Sequence, residues 1–100
     1  MLAKSLNSLG LAARKDGDHD SAVLLYREAA AADPKHVWSR YNLACELALA
    51  GSGDEALRLL EAIDAIGGED ASEALRDHAP RDKDFARLRG DPRFKALTTR

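Results

Sequence analysis

The residues of this 100-residue chain that could carry chemistry are a run of aspartates, three histidines and one cysteine. Asp16, Asp18 and Asp20 alternate like the opening of a calcium loop. Such a loop needs glycine at its sixth position and a bidentate glutamate at its twelfth. Ser21 and Arg27 stand there instead, so the run is not that loop. His19, His36 and His78 fall in or near separate connections, with no zinc spacing to one another or to Cys45. Spacing leaves open a Cys45–histidine nucleophile pair. Yet Cys45 stands among Ala and Leu, where a thiol serves as a small buried hydrophobe. No glycine-rich phosphate loop follows a strand, because no strand pattern exists. Enzyme is therefore the poorest reading, and no catalytic residue, metal ligand or cofactor is expected.

Charge offers a second kind of chemistry. From Arg81 onward there are seven basic residues against three acids, although the whole chain carries −2. Such a tail could meet RNA, an acidic partner or the acidic body of its own protein. A solvated helical face explains it more simply, since Phe85 and Phe94 sit at spacings that suit burial. Nucleic acid is not favoured as a partner. No apolar run approaches the roughly 20 residues of a membrane span, so no membrane is expected. The N-terminus lacks a compact apolar core of the secretory kind. The lone Cys45 allows no internal disulfide, which fits a cytoplasmic setting.

The elements that must position these residues are helices. Ala and Leu dominate, and aromatics make up 5% of the chain, the balance of close-packed helices rather than sheets. Leu2, Leu6, Leu9 and Ala13 give the first helix one packing stripe, with Gly10 inside it. Gly17 is a natural stop, and Asp18 can cap a second helix lined by Ala22, Val23, Tyr26 and Ala29. Asp33-Pro34 reads as the cap and first residue of a third helix, running to about Ala50. A fourth runs from Asp54 to Ile66, closed by Gly67-Gly68. Asp70 and Glu73 form a possible capping box for a short helix from Ala71 to about Ala79, ended by Pro80. Asp91-Pro92 opens the last helix, with Phe85, Leu88, Phe94 and Leu97 as apolar anchors of the tail.

The first two helices and the next two share one skeleton at a period of 34 residues: Leu9 and Leu43, Gly17 and Gly51, Asp20 and Asp54, Ala22 and Ala56, Leu25 and Leu59. With Leu9-Gly10, Ala22, Tyr26 and Pro34 in the first unit, and Leu43-Ala44, Leu47, Ala56 and Leu60 in the second, the chain resembles tetratricopeptide repeats. Arg40 and Gly68 depart from that pattern. The segment FARLRGDPRFKAL resembles the closing, end-of-group segment of bacterial tetratricopeptide proteins. The resemblance implies an all-α solenoid of helical hairpins in one domain, 1–100: a repeat over 3–36, a second over 37–68, and a degenerate third hairpin or cap over 69–100. A cap is needed because an open solenoid end leaves apolar surface in water.

Function follows from the first helix of each unit. Leu43, Ala44 and Leu47 form one apolar stripe, and Trp38, Tyr41, Cys45 and Leu49 form another around the helix. In the family, first helices line a concave groove that holds peptides. Carried over by position, the partner-binding candidates are Lys4, Asn7, Ser8, Leu11, Arg14 and Lys15, with Trp38, Tyr41, Asn42 and Leu49 from the second unit. Asn42 matches the asparagine that holds a peptide backbone in many relatives. Asn7 and Leu11 replace members of the basic clamp for a C-terminal carboxylate, so chaperone-tail binding is not expected. The expected function is a non-enzymatic module for a protein or peptide partner, with an apolar anchor near Tyr41 and acidic character towards Arg14 and Lys15. The alternatives are a self-associating homo-oligomer and the closing segment of a larger regulator or enzyme.

Overall fold

A computed structural model describes residues 2–99, and among them every regular element is helical. Four α-helices come first: α1 (Leu2–Lys15), α2 (His19–Ala32), α3 (Val37–Leu49) and α4 (Gly53–Ile66). They pack as two hairpins, α1 on α2 and α3 on α4, with α2 against α3 joining them. Each hairpin turns at a glycine in the left-handed region, Gly17 (φ 83°) and Gly51 (φ 89°), a conformation that costs other residues energy. After the first turn Asp18 caps α2, its carboxylate accepting the Ser21 N–H at 3.1 Å.

The packing stripe of α1 differs from the expected one. Ala3 and Gly10 are buried, whereas Leu2 and Leu9 are 67% and 55% exposed. Close approach decides this. The Tyr26 ring lies so near Gly10 that a Cβ there would sit 2.5 Å from Cε1. Small residues therefore face α2, and the leucines beside them turn outward.

The start of α3 also differs. Asp33 closes α2 instead of opening α3: its N–H bonds the Ala29 carbonyl, and its carboxylate accepts the Lys35 N–H. His36 is the cap, its Nδ1 accepting the Ser39 N–H at 3.2 Å. Three carbonyls at this junction also accept from Arg40. Its guanidinium donates to Ala30, Asp33 and His36 oxygens at 3.0–3.2 Å, which explains a charged residue where an apolar one is usual.

Beyond α4 the expected capping box does not form. The chain enters α5 (Gly68–Ser72) directly at Gly68, with no side-chain cap, and continues as a π-helical turn Glu73–His78 and a 3-10 turn Ala79–Arg81. A second 3-10 segment, Lys83–Leu88, lies across α3, and α6 (Pro92–Thr98) packs on α4 and on the π turn. Phe85, Leu88, Phe94 and Leu97 are all buried, joining Tyr26, Leu57, Leu60, Ile63 and Leu75 in one core. No helix among the described residues is long and apolar enough to cross a membrane.

Candidate functional site

Helices α1 and α3 lie side by side and present one shared face. The Asn42 side-chain amide donates to the Asn7 amide oxygen at 3.0 Å across it. This links two of the predicted site residues and sets the register of the face. Lys4 and Trp38 lie towards the N-terminal ends of the two helices, and Arg14 and Leu49 towards the C-terminal ends.

The C-terminal half of the face is filled by the chain's own residues 82–88, here called the strap. Asp82 is its first anchor. Its Oδ2 accepts the Tyr41 hydroxyl at 2.8 Å and the Cys45 thiol at 3.6 Å, while its Oδ1 caps the 3-10 turn through the Asp84 N–H. Asp84 is the second anchor, accepting from the Arg14 guanidinium at 2.5 Å. Phe85 is the third. It is fully buried, edge-on to Tyr41 with ring centroids 5.6 Å apart, and leans on Phe94 at 5.7 Å. Geometry of this kind adds to the gain from area burial alone.

Arg14 is the hub of the arrangement, because its Nε also lies 3.4 Å from Glu46 Oε1. Glu46 is buried on α3 and pairs through Oε2 with His19 Nδ1 at 2.7 Å. One guanidinium thus joins α1 to α3 and α3 to the strap. Burial works against its charge, but the Asp84 hydrogen bond and the charges of Asp84 and Glu46 outweigh it and hold Arg14 above its usual value. Burial pushes the Cys45 thiol up, and the Asp82 and Asp84 carboxylates push it further. A thiol so held stays protonated, the opposite of an activated nucleophile. Cys45, Asp82 and Asp84 do bring three metal-type donor atoms within 4.8 Å of one another. Tyr41 already serves Asp82, and Arg14 already supplies a positive charge to Asp84.

The predicted site residues therefore fall into three groups. Tyr41 is 4% exposed and, with Arg14, is engaged by the strap. Lys4, Ser8 and Leu11 are exposed, and Asn7, Trp38 and Asn42 are half-buried, along the open half of the face. Lys15 and Leu49 are exposed at its C-terminal end, where Leu49 borders the strap beside Lys83 and Asp84. Trp38 is steadied by edge contacts with Tyr41 and His78, at 5.6 and 5.1 Å. A hollow of about 410 Å³ lined by Asp77, His78, Arg81 and Asp82 opens where the strap begins. Sequence reasoning missed Asp82, Asp84 and Glu46 as members of this site. The one available signal was Asp-x-Asp-Phe inside an otherwise basic tail.

A family model described as tetratricopeptide repeat matches residues 13–77. Neither among curated proteins nor among solved structures does any match the chain.

Proposed function

Because the chain belongs to the tetratricopeptide repeat family, generally a non-catalytic fold for protein–protein interaction, we propose that it holds a segment of a partner protein along the concave face of α1 and α3. The observation that carries this reading is the strap itself: the face accommodates a short, non-α segment through a few polar side chains and one aromatic ring. The partner segment lies on the half the strap leaves open. There the Asn7–Asn42 amide pair offers backbone hydrogen bonds, Trp38 and Leu11 offer an apolar seat, and Lys4 favours an acidic side chain. Tyr41 and Arg14 support the site from behind, through the strap. The lone buried Cys45 fits a cytoplasmic setting for this interaction.

The test is calorimetry of a partner recovered by pull-down against single variants. Trp38→Ala should weaken binding at least tenfold, as a central aromatic anchor does. Asn42→Ala should cost about 0.5–1.5 kcal/mol, one hydrogen bond to a peptide backbone. Arg58→Ala, exposed on α4, serves as the control and should change nothing. Equal effects from all three, or none from Trp38 and Asn42, would place the partner on another surface.

A second reading has its own observation. Leu2 and Leu9 on α1 and Leu24 on α2 are 67%, 55% and 63% exposed. Apolar side chains at the outer hairpin of a solenoid suit a preceding repeat or a second copy, so the chain is also read as the closing part of a longer array or as a homo-oligomer.

A further inference from the structure

Resting on the concave face as the binding surface, we propose that its strap-filled half is a receptor for an Asp-x-Asp-Phe segment. Residues 82–88 are the chain's own copy of that ligand, and a partner protein carrying the same acidic–aromatic pattern exchanges with them.

The first support is selectivity. The stretch from Arg81 to Arg89 carries four basic side chains, Arg81, Lys83, Arg87 and Arg89, and every one is exposed. Its two carboxylates are the groups turned inward, Asp82 onto Tyr41 and Cys45 and Asp84 onto Arg14. A face that takes the acids from a basic segment is chemically specific for acids at that spacing. Phe85, one residue on, fills the aromatic seat against Tyr41. The second support is how the strap is attached. Its packing falls mainly on α3, with Phe85 also touching Phe94 and Leu88 lying against Gly53, while α6 has its own hold on α4 and the π turn, with Arg93 on Asp54 at 3.0 Å. Pro80 precedes the strap, and Gly90 follows it with nothing crowding its Cα. When the strap leaves its seat α6 loses the Phe85–Phe94 contact but keeps those to α4 and the π turn. The third is local structure. Six residues of 3-10 helix have little stability of their own, so the seat holds the strap through the same side-chain contacts it would make with a segment arriving from another protein.

The experiment uses the full chain and a labelled peptide with the sequence of residues 80–90, followed by fluorescence anisotropy. Asp82→Asn with Asp84→Asn keeps side-chain size but removes the carboxylates that hold the strap. This variant should bind the peptide at least tenfold more tightly than the wild-type chain does. Peptides carrying Asp84→Asn or Phe85→Ala should each bind it at least tenfold more weakly than the parent peptide. A folded variant that takes up no peptide, or one that binds it no better than wild type, overturns the proposal. So does a variant that becomes a dimer by light scattering without peptide uptake, because exchange then occurs between copies. If the variant does not fold, hydrogen exchange on the wild-type chain decides. Amides of residues 83–88 should exchange at least tenfold faster than those of residues 43–48, and equal rates would mean that the strap opens only on global unfolding. Partner binding that depends on Trp38 and Asn42 without any peptide uptake would sink the exchange and leave the open half's role intact.

Discussion

Tyr26 and Tyr41, the two tyrosines of the chain, both sit where a phenolate cannot be accommodated. Burial, reinforced by the charge of Glu46, pushes Tyr26 up to about 12. Burial, then Cys45 and Asp82, pushes Tyr41 up as well. In the unfolded chain both lose their protons at about pH 10. The folded form keeps them longer, so the stability they contribute is complete below about pH 10 and is lost as pH rises through the folded values. Phenolate absorbance should therefore stay flat through pH 10 and rise only near pH 12, together with loss of helical circular dichroism. A phenolate appearing at pH 10 with helicity intact would show an exposed ring. At this scale it is the repeat resemblance, carried over by position, that puts Arg14, Tyr41 and Asn42 on one face; the structure gives Arg14 and Tyr41 partners in the strap and Asn42 a bond to Asn7. Asp82 and Asp84 could not be placed in the same way. Their partners lie 41 and 70 positions away, and no local spacing encodes such a pairing.

Helices α1 to α4 were legible because their stops are chemical: Gly17, Gly51 and Gly67 adopt positive φ, and Asp18 caps as its position requires. Where neighbouring elements compete for the same residue, local rules lose. Asp33-Pro34 carries a helix-start signal, yet Asp33 is taken by the end of α2 and His36 caps α3. The α1 stripe held only in part: Ala13 packs against the core and Leu6 is half-buried, but Leu2 and Leu9 are exposed. Leucine spacing identifies an amphipathic helix but does not reveal that Tyr26 needs Gly10 bare. The tail is the element whose removal tests the architecture most directly. Ending the chain after Pro80 would uncover the surfaces now under Phe85, Leu88, Phe94 and Leu97. Each buried Phe lost costs about 3–5 kcal/mol, against a total stability of roughly 5–15 kcal/mol for a small domain. The truncated protein should aggregate or lose its cooperative melt. A truncation that melts like the whole chain would show residues 81–100 to be a free arm.

The described residues span 32 × 27 × 19 Å and leave one hairpin's outward leucines in water. Replacing Leu2 and Leu9 together by Ser should shift the melting temperature by no more than about 8 °C, since two exposed side chains contribute roughly 0.5 kcal/mol or less each. Any self-association seen in a concentration series should weaken in the same variant. A larger fall in melting temperature would mean that these leucines are packed after all. The long reach of the Arg14–Asp84 pair also has a consequence in time. A chain made from its N-terminus has completed α1 and α3 before residue 82 is added. At about 5–20 residues per second, the interval from Leu49 to Asp82 is on the order of seconds. Through that interval Tyr41, Cys45 and Arg14 have no strap to meet. On the exchange proposed above, a newborn copy passes through a stage with this seat bare, when a partner translated nearby competes with a rival that does not yet exist.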